Sequence, residues 1–474
     1  MKILMNSLGC DKNLVDAEEM LSALKEEGHT FTDDPSRADI IIINTCAFIE
    51  DAKKESIDAI LEASQWKTKG HVKAVIASGC MAARYRDEIR KALPEVDAMV
   101  GIAGANAIAA AVRKFAEDEN AVPEKHTRNA SENAAAAENP SNPESAVSDN
   151  TAAEDPMFYV SPEMHTHART IATGGLYEYL RLADGCDKNC TYCVIPKIRG
   201  HYRSVPMDEL IAQAKELAES GVKELILVAQ ETTLYGTDLY GKKMLHELLR
   251  ELCRIDGLIW IRLLYCYPEE IYPELIEVMA EEPKICHYID MPIQHINDTV
   301  LKRMNRRTNG DDIRRIIAEL RERIPDIAIR TTLLTGFPGE TEDMHEELLS
   351  FVGDTQFERL GVFAYSKEEE TPAARMKGQV HPRTKQRRRN ELMSMQQEIS
   401  DAYGESRIGT VCDVLIEGEI PEDHVYIGRT YTDAPDVDGY IFVTSDRSLE
   451  TGDFISVRVT GASEYDLMGE VENA

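Results

Sequence analysis

The chain has no run of about 18 apolar residues, so it offers no segment able to cross a bilayer as a helix. It also offers no secretory leader: the start, MKILMNSLGC, is too short and too polar, and reads as a first strand. Positive charge is scarce. Lys and Arg number 53 against 84 Asp and Glu, a formal net charge of −31. That is a poor match to a protein whose main partner is nucleic-acid phosphate, which asks for a basic footprint. It suits a strongly basic partner, or solubility alone. Among the ten cysteines no second C-x-x-C exists, which removes the paired ligands of a usual structural zinc site. Ten cysteines without a leader point to a reducing compartment, the cytoplasm, where thiols serve metals or catalysis rather than disulfides.

What the chain does have is an α/β rhythm over 474 residues, a length for about three domains. Residues 1–115 alternate β-rich runs (Ile3–Met5, Ile40–Ile43, Val72–Ala77) with helical patterns. Leu14, Ala17, Leu21 and Leu24 recur at helical spacing up to a stop at Gly28, and a second helix fits Ile49–Ala63. The pattern predicts a doubly wound parallel sheet. Residues 116–168 interrupt it. Between 116 and 156, ten acids face two bases, a net of −8, and the composition predicts a disordered linker or insertion. From 169 to 404 six more strand-like runs appear: Tyr177–Leu182, Glu224–Ala229, Ile259–Leu264, His287–Met291, Ile327–Leu333 and Leu360–Ala364. Six βα units in series predict a partial or complete parallel barrel. The basic run His381–Arg389 opens a last helix and reads as a solvated helix start rather than a nucleic-acid patch. Residues 405–474 switch to four short strands (Val411–Glu417, Val425–Tyr431, Tyr440–Thr444, Phe454–Thr460), a small antiparallel barrel. It holds sixteen acids against four Arg, a net of −12.

Two sets of cysteines carry the chemistry. Cys186, Cys190 and Cys193 form C-x-x-x-C-x-x-C just after the first barrel strand. Iron–sulfur cubes are normally held by four thiolates. Three leave one iron open to a reactant, as a catalytic metal keeps an open position. Cys10, Cys46 and Cys80 are dispersed, 36 and 34 residues apart, each just beyond a predicted strand. In a doubly wound sheet such loops meet at one edge, so three thiolates converge there into a second open site, unless single members are ordinary buried cysteines. Cys253, Cys266, Cys286 and Cys412 show no such register and read as structural. Other strand ends are weaker candidates. TGFPGET, Thr335–Thr341, is a ligand approach or a tight turn; AQETT, Ala229–Thr233, offers polar groups at the barrel mouth. His295 reads as a hydrogen-bonded structural histidine rather than a base.

The triplet, with Tyr192 beside Cys193, resembles the radical S-adenosylmethionine signature. With the three-cysteine domain before it and the terminal barrel after it, the chain resembles the methylthiotransferase family: an N-terminal cluster domain (1–115), a central partial barrel (169–404) and a C-terminal TRAM domain (405–474). The resemblance covers nearly everything except 116–168. SLGCDKNLVD (Ser7–Asp16), NTCAFI (Asn44–Ile49), PIQH (Pro292–His295) and YSKEEETP (Tyr365–Pro372) are similar to the branch that modifies a ribosomal protein (RimO-like). The branch that modifies tRNA adenosine (MiaB-like) tends to read GCQMN and QSG at two of these places. An acidic terminal domain agrees, since it repels a tRNA backbone and attracts a basic protein.

The resemblance implies two 4Fe-4S clusters and S-adenosylmethionine. Cys186, Cys190 and Cys193 would hold the cluster that cleaves the cofactor to a 5′-deoxyadenosyl radical, which abstracts hydrogen from the β-carbon of an aspartate. Cys10, Cys46 and Cys80 would hold the cluster that presents methylated sulfur, both facing one cavity. Tyr192, Gln230, Glu231 and Gly336 would position the cofactor, with His295 on the substrate side. The implied partners are a basic small-subunit ribosomal protein, an electron donor protein and the ribosome, around a cytoplasmic monomer. The alternatives are a tRNA methylthiotransferase, with every cluster residue kept, and a non-catalytic iron–sulfur scaffold, which would yield no 5′-deoxyadenosine.

Overall fold

The computed structural model describes residues 1–102, 105–117, 158–159, 169–421 and 425–472. It divides into two compact units, residues 1–47 with 51–170, and residues 48–50 with 171–474.

The first unit contains β1 (Lys2–Ser7), α1 (Asp11–Glu26), β2 (Thr30–Phe31), β3 (Ile40–Thr45), α2 (Glu50–Thr68), β4 (Ala74–Gly79), α3 (Cys80–Arg84), α4 (Arg86–Ala92), β5 (Ala98–Val100), α5 (Ala105–Glu117) and β6 (Phe158–Tyr159). The strands form one parallel sheet in the order β2-β1-β3-β4-β5-β6. β3 and β4 are buried at every position, the continuous apolar run of a parallel strand covered on both faces. Ile3, Ile40, Ile42 and Ile76 pack with Met20 and Leu24 of α1 and Ile108 of α5. The sequence predicted three of these strands. β2, β5 and β6 are two or three residues long, too short to show alternation. α2 begins one residue later than expected and runs five further. α5 continues to Glu117, and β6 lies within the stretch expected to be linker. The disorder expected of that stretch falls on 118–157 and 160–168, outside the described residues.

The second unit begins with β7 (Tyr177–Arg181), a small antiparallel ribbon of β8 (Ala183–Asp184) and β9 (Arg203–Ser204), and α6 (Ile195–Arg199) between them. It continues with α7 (Met207–Glu219), β10 (Glu224–Val228), α8 (Thr237–Tyr240), α9 (Leu245–Cys253), β11 (Trp260–Leu263), α10 (Pro273–Glu281), β12 (Ile285–Asp290), α11 (Asp298–Arg303), α12 (Gly310–Arg323), β13 (Ala328–Thr335), α13 (Glu342–Thr355), β14 (Arg359–Ala364) and α14 (Pro382–Arg407). The six long strands are parallel, in the order β14-β13-β12-β11-β10-β7, with open edges. This is the partial barrel.

The terminal domain is a closed barrel of β15 (Val411–Ile420), β16 (Val425–Arg429), β17 (Ile441–Thr444), β18 (Phe454–Ser463) and β19 (Asp466–Val471), ordered β15-β16-β17-β19-β18. The sequence predicted four antiparallel strands. The fifth, β19, closes the barrel, and its pairing with β17 is parallel. Val414, Ile416, Ile441, Val443 and Val457 fill the middle.

This barrel is fastened to the amino ends of the six strands by buried charge. Glu224, first residue of β10, accepts from Arg262 Nε and from Arg429 Nη2 of the terminal barrel, each at 2.6 Å. Arg359, first residue of β14, pairs with Asp433, and Arg330 bridges Asp290 (2.9 Å) and Asp438 (3.3 Å). The edge of the Trp260 ring meets Phe454 at 5.1 Å. The carboxyl ends of the same strands are thereby left for chemistry. Among the described residues no helix is long and apolar enough to cross a membrane.

Candidate active site

The triplet loop is shaped before any ligand is considered. Gly185 has φ +76°, and a Cβ there would lie 2.1 Å from the His201 carbonyl oxygen, so only glycine lets the loop return beside β9. Cys186 N donates to Gly200 O at 3.1 Å, and Cys193 N to Cys190 O at 3.0 Å. The loop is pinned from outside as well: Thr191 N donates to Met304 O (3.0 Å), Thr191 Oγ1 to Arg303 O (2.8 Å) and Ala373 N to Thr191 O (2.9 Å). Cys186 and Cys190 are buried and Cys193 partly so. Burial pushes the Cys186 thiol up to about 11 and that of Cys193 to about 12, and neighbouring thiols add repulsion. A bound metal centre would hold such thiols as thiolates.

No three His, Cys, Asp or Glu side chains among the described residues are gathered closely enough to hold a single metal ion. In a cube each thiolate binds a different iron, which calls for a wider set.

Beside the loop lies a set of buried polar atoms without hydrogen-bond partners: both amide atoms of Gln230, Glu231 Oε2, and Arg306 Nε and Nη1. Buried polar atoms are nearly always satisfied, so a group of orphans marks a place for a polar ligand. Burial raises the Glu231 carboxyl to about 7 against the pull of Lys188. Lys188, between Cys186 and Cys190, is itself buried and faces Glu270, Glu269 (3.5 Å) and Glu231 (3.8 Å). Arg306 stacks on the Tyr267 ring, 4.1 Å from its centroid. Tyr192 packs edge-on to Phe337 at 6.5 Å, and burial holds its phenol up.

Gly336 (φ +72°) sits in a tight turn. A Cβ would reach 2.4 Å from Lys385 Cγ, and Glu340 accepts from the Gly336 and Phe337 amides. His295 is fully buried. Its Nδ1 accepts from Asn297 N at 3.0 Å, its Nε2 has no partner, and burial lowers it to about 3. It is therefore neutral, with Nε2 carrying the proton, and is a donor rather than a base. Cys253, Cys266 and Cys412 lie in or against apolar cores, and Cys286 is buried near Arg262 and Glu224.

In the first unit β1, β3 and β4 are neighbours, with Ser7 opposite Asn44 and Asn44 opposite Ser78. Cys10, Cys46 and Cys80 follow these strands directly, so the three cysteines leave one carboxyl edge on adjacent loops. Cys10 is exposed and caps α1; Cys46 and Cys80 are buried. Gly9 has φ +92°, and its Cβ would stand 2.7 Å from Cys46 Cβ and 2.9 Å from Cys46 Sγ. Asn13, which the sequence did not single out, ties the loops together. Its Nδ2 donates to Leu8 O and Thr45 O, each at 2.9 Å, and its Oδ1 accepts from Cys80 Sγ at 3.6 Å. Ser56 Oγ holds both the N–H and the carbonyl of Cys46, each at 3.0 Å.

Three family models and several full-length relatives match this chain. Residues 2–101 match Uncharacterized protein family UPF0004, residues 180–352 the Radical SAM superfamily and residues 408–471 the TRAM domain. The ribosomal protein uS12 methylthiotransferase RimO of Lachnoclostridium phytofermentans is 52% identical over 472 residues, 100% of each chain. That of Clostridioides difficile is 45% identical over 99% of each. The stretch 116–168 thus lies inside the matched length. A radical S-adenosylmethionine methyltransferase, TsrM from Kitasatospora setae, solved with cobalamin and a [4Fe-4S] cluster bound, covers 78% of this chain and 76% of its own. Its TM-score is 0.54 at 14% identity, a likeness of fold.

Proposed function

The chain belongs to the radical S-adenosylmethionine methylthiotransferases of ribosomal protein uS12, and from that premise we propose that it places a methylthio group on the β-carbon of a uS12 aspartate with two 4Fe-4S clusters. The observation that carries the two-cluster reading is the strand order β1-β3-β4, which sets Cys10, Cys46 and Cys80 on neighbouring loops of one edge. The triplet Cys186, Cys190 and Cys193 is the other ligand set.

When bound, the clusters and S-adenosylmethionine supply a carbon radical for hydrogen abstraction and the methylated sulfur that replaces the hydrogen. The protein's part is to bind, orient and exclude water. Glu231 Oε2 and the Gln230 amide are the unpartnered groups that would take the cofactor's ammonium and polar edge. Lys188 braces the cluster loop against Glu269 and Glu270, and Tyr192 walls the site with Phe337. Neutral His295 offers its Nε2 proton to the substrate side. An aspartate β-hydrogen is not acidic enough for a side-chain base, which is why a radical is needed. A separate protein supplies the electrons, and a monomer acts where ribosomes are made.

The test is mass analysis of ribosomal proteins and tRNA nucleosides from cells with and without the gene. The expected result is loss of a methylthio group from one aspartate of uS12. Loss of a modified nucleoside with uS12 unchanged overturns the reading.

A further inference from the structure

Around the mouth of the six-stranded sheet runs a positive strip that the reaction does not use. Residues 371–390 hold seven Lys and Arg and no Asp or Glu, in a chain of net charge −31. Four of the seven are committed. Arg388 is buried on Glu340, Arg387 pairs with Glu342 and Glu391, Lys385 donates to Tyr365 O and Arg389 to Val362 O. Arg375, Lys377 and Arg383 are exposed, and among the described residues none of them has a carboxylate at ion-pair distance.

The strip is fixed to the triplet loop. Ala373 donates to Thr191, between Cys190 and Cys193, and Arg303 Nη2 donates to Lys377 O at 3.2 Å. Lys302 and Arg307, both exposed, flank the Met304 turn that also holds Thr191. The nearby acids are largely answered: Glu370 faces Lys197 at 3.7 Å and Glu368 is buried. Along α14 the strip continues into a groove of about 820 Å³, whose lining includes Arg383, Gln386, Arg387, Asn390 and Ser394. These are side chains that donate to phosphate and sugar oxygens. Two acids also line the groove, Glu391, taken up by Arg387 and His345, and Glu398, exposed further along α14.

The opposite end of the unit is the terminal barrel, with its net of −12. Charge along the unit is therefore uneven, with the uncommitted cations of the strip at one end and the acidic barrel at the other. A polyanion that meets the protein is repelled least at the strip, which favours one orientation.

We propose that Arg375, Lys377 and Arg383 dock phosphates of ribosomal RNA, so that the substrate is uS12 seated in the small subunit rather than free uS12. This rests on the proposed function and names its partner. The test uses the full chain, reconstituted without oxygen, and small subunits from cells lacking the gene. The charge-reversed variant Arg375→Glu with Lys377→Glu and Arg383→Glu is compared with the unaltered protein by co-sedimentation across a salt series. Binding is expected to fall at least about tenfold near physiological salt, and the log–log salt slope to shrink by about 2, as three lost phosphate contacts require. Cofactor cleavage to 5′-deoxyadenosine without substrate should be unchanged, which shows the variant folded and loaded. Unaltered binding to subunits, a matching loss of binding to free uS12, or faster modification of free uS12 than of subunits would each overturn the proposal. If neither form of uS12 is modified, the proposed function fails instead, and co-sedimentation still reads the docking.

Discussion

Replacing Gly9 by Ala probes how closely the N-terminal cysteine edge is built. The residue has φ +92°, where an L side chain costs about 1–2 kcal/mol. The new Cβ would also stand 2.7 Å from Cys46 Cβ and 2.9 Å from Cys46 Sγ. Cys46 cannot easily retreat, because Ser56 Oγ holds its N–H and its carbonyl. Overpacking of this kind costs roughly 1–3 kcal/mol more. Gly28 supplies the control: it has φ +81° but nothing within 4 Å of an added Cβ, so Gly28→Ala isolates the backbone strain. Urea unfolding followed by circular dichroism should show a loss of about 2–5 kcal/mol for Gly9→Ala and about 1–2 kcal/mol for Gly28→Ala. Iron bound per chain after anaerobic reconstitution should fall only in the first. Equal destabilisation by the two, with iron undiminished in both, would refute the reasoning.

Cys186→Ala should abolish 5′-deoxyadenosine formation, whereas Cys10→Ala should preserve it and lose methylthio transfer; a Cys10 variant that modifies uS12 at full rate removes the second cluster. Glu231→Gln should weaken S-adenosylmethionine about 10- to 100-fold by equilibrium binding, the effect of one charged hydrogen bond, with iron content unchanged. Arg429→Met leaves Glu224 buried beside Arg262 alone and should cost about 3–5 kcal/mol at pH 7 by thermal or chemical unfolding. Arg262 and Arg429 together hold the Glu224 carboxyl below its usual range despite burial. That contribution is complete above the unfolded value of about 4.3 and fades as the pH falls through the lower folded value. The penalty of Arg429→Met should therefore shrink in acid; a penalty independent of pH would separate the arginine from Glu224.

The six long parallel strands were legible because each is a compact β-rich run with a helical pattern after it. The cysteine edge was legible because two similar spacings, 36 and 34 residues and each one βα unit long, predict adjacency in a wound sheet. Asn13 was not. Its side chain acts through carbonyls of Leu8 and Thr45, and only the sheet order brings residue 45 to residue 13. Lys188 has nothing local in the sequence to mark it as buried; carboxylates from residues 231, 269 and 270 make its burial tolerable. β19 carries Gly469, a residue that weakens a strand pattern. Its Cβ would fall 2.4 Å from Val457 Cγ1, so barrel closure itself demands the glycine. Arg262 interrupts an otherwise apolar strand, WIRL, and is fully buried. Nothing local shows that Glu224 will meet it from the neighbouring strand.

The terminal domain looks detachable when the chain is read as text, a short stretch after a long helix. The ion pairs at the amino ends of the strands say otherwise. A protein cut at residue 404 would keep Glu224, Arg262, Arg330 and Arg359 but lose Arg429, Asp433 and Asp438, stranding unmatched charge in an apolar lumen. Grafting a different tail onto this catalytic half would demand recolouring the inside of the sheet at the same time. Exchange of terminal domains between such enzymes is therefore constrained by the charged residues at the amino ends of the strands.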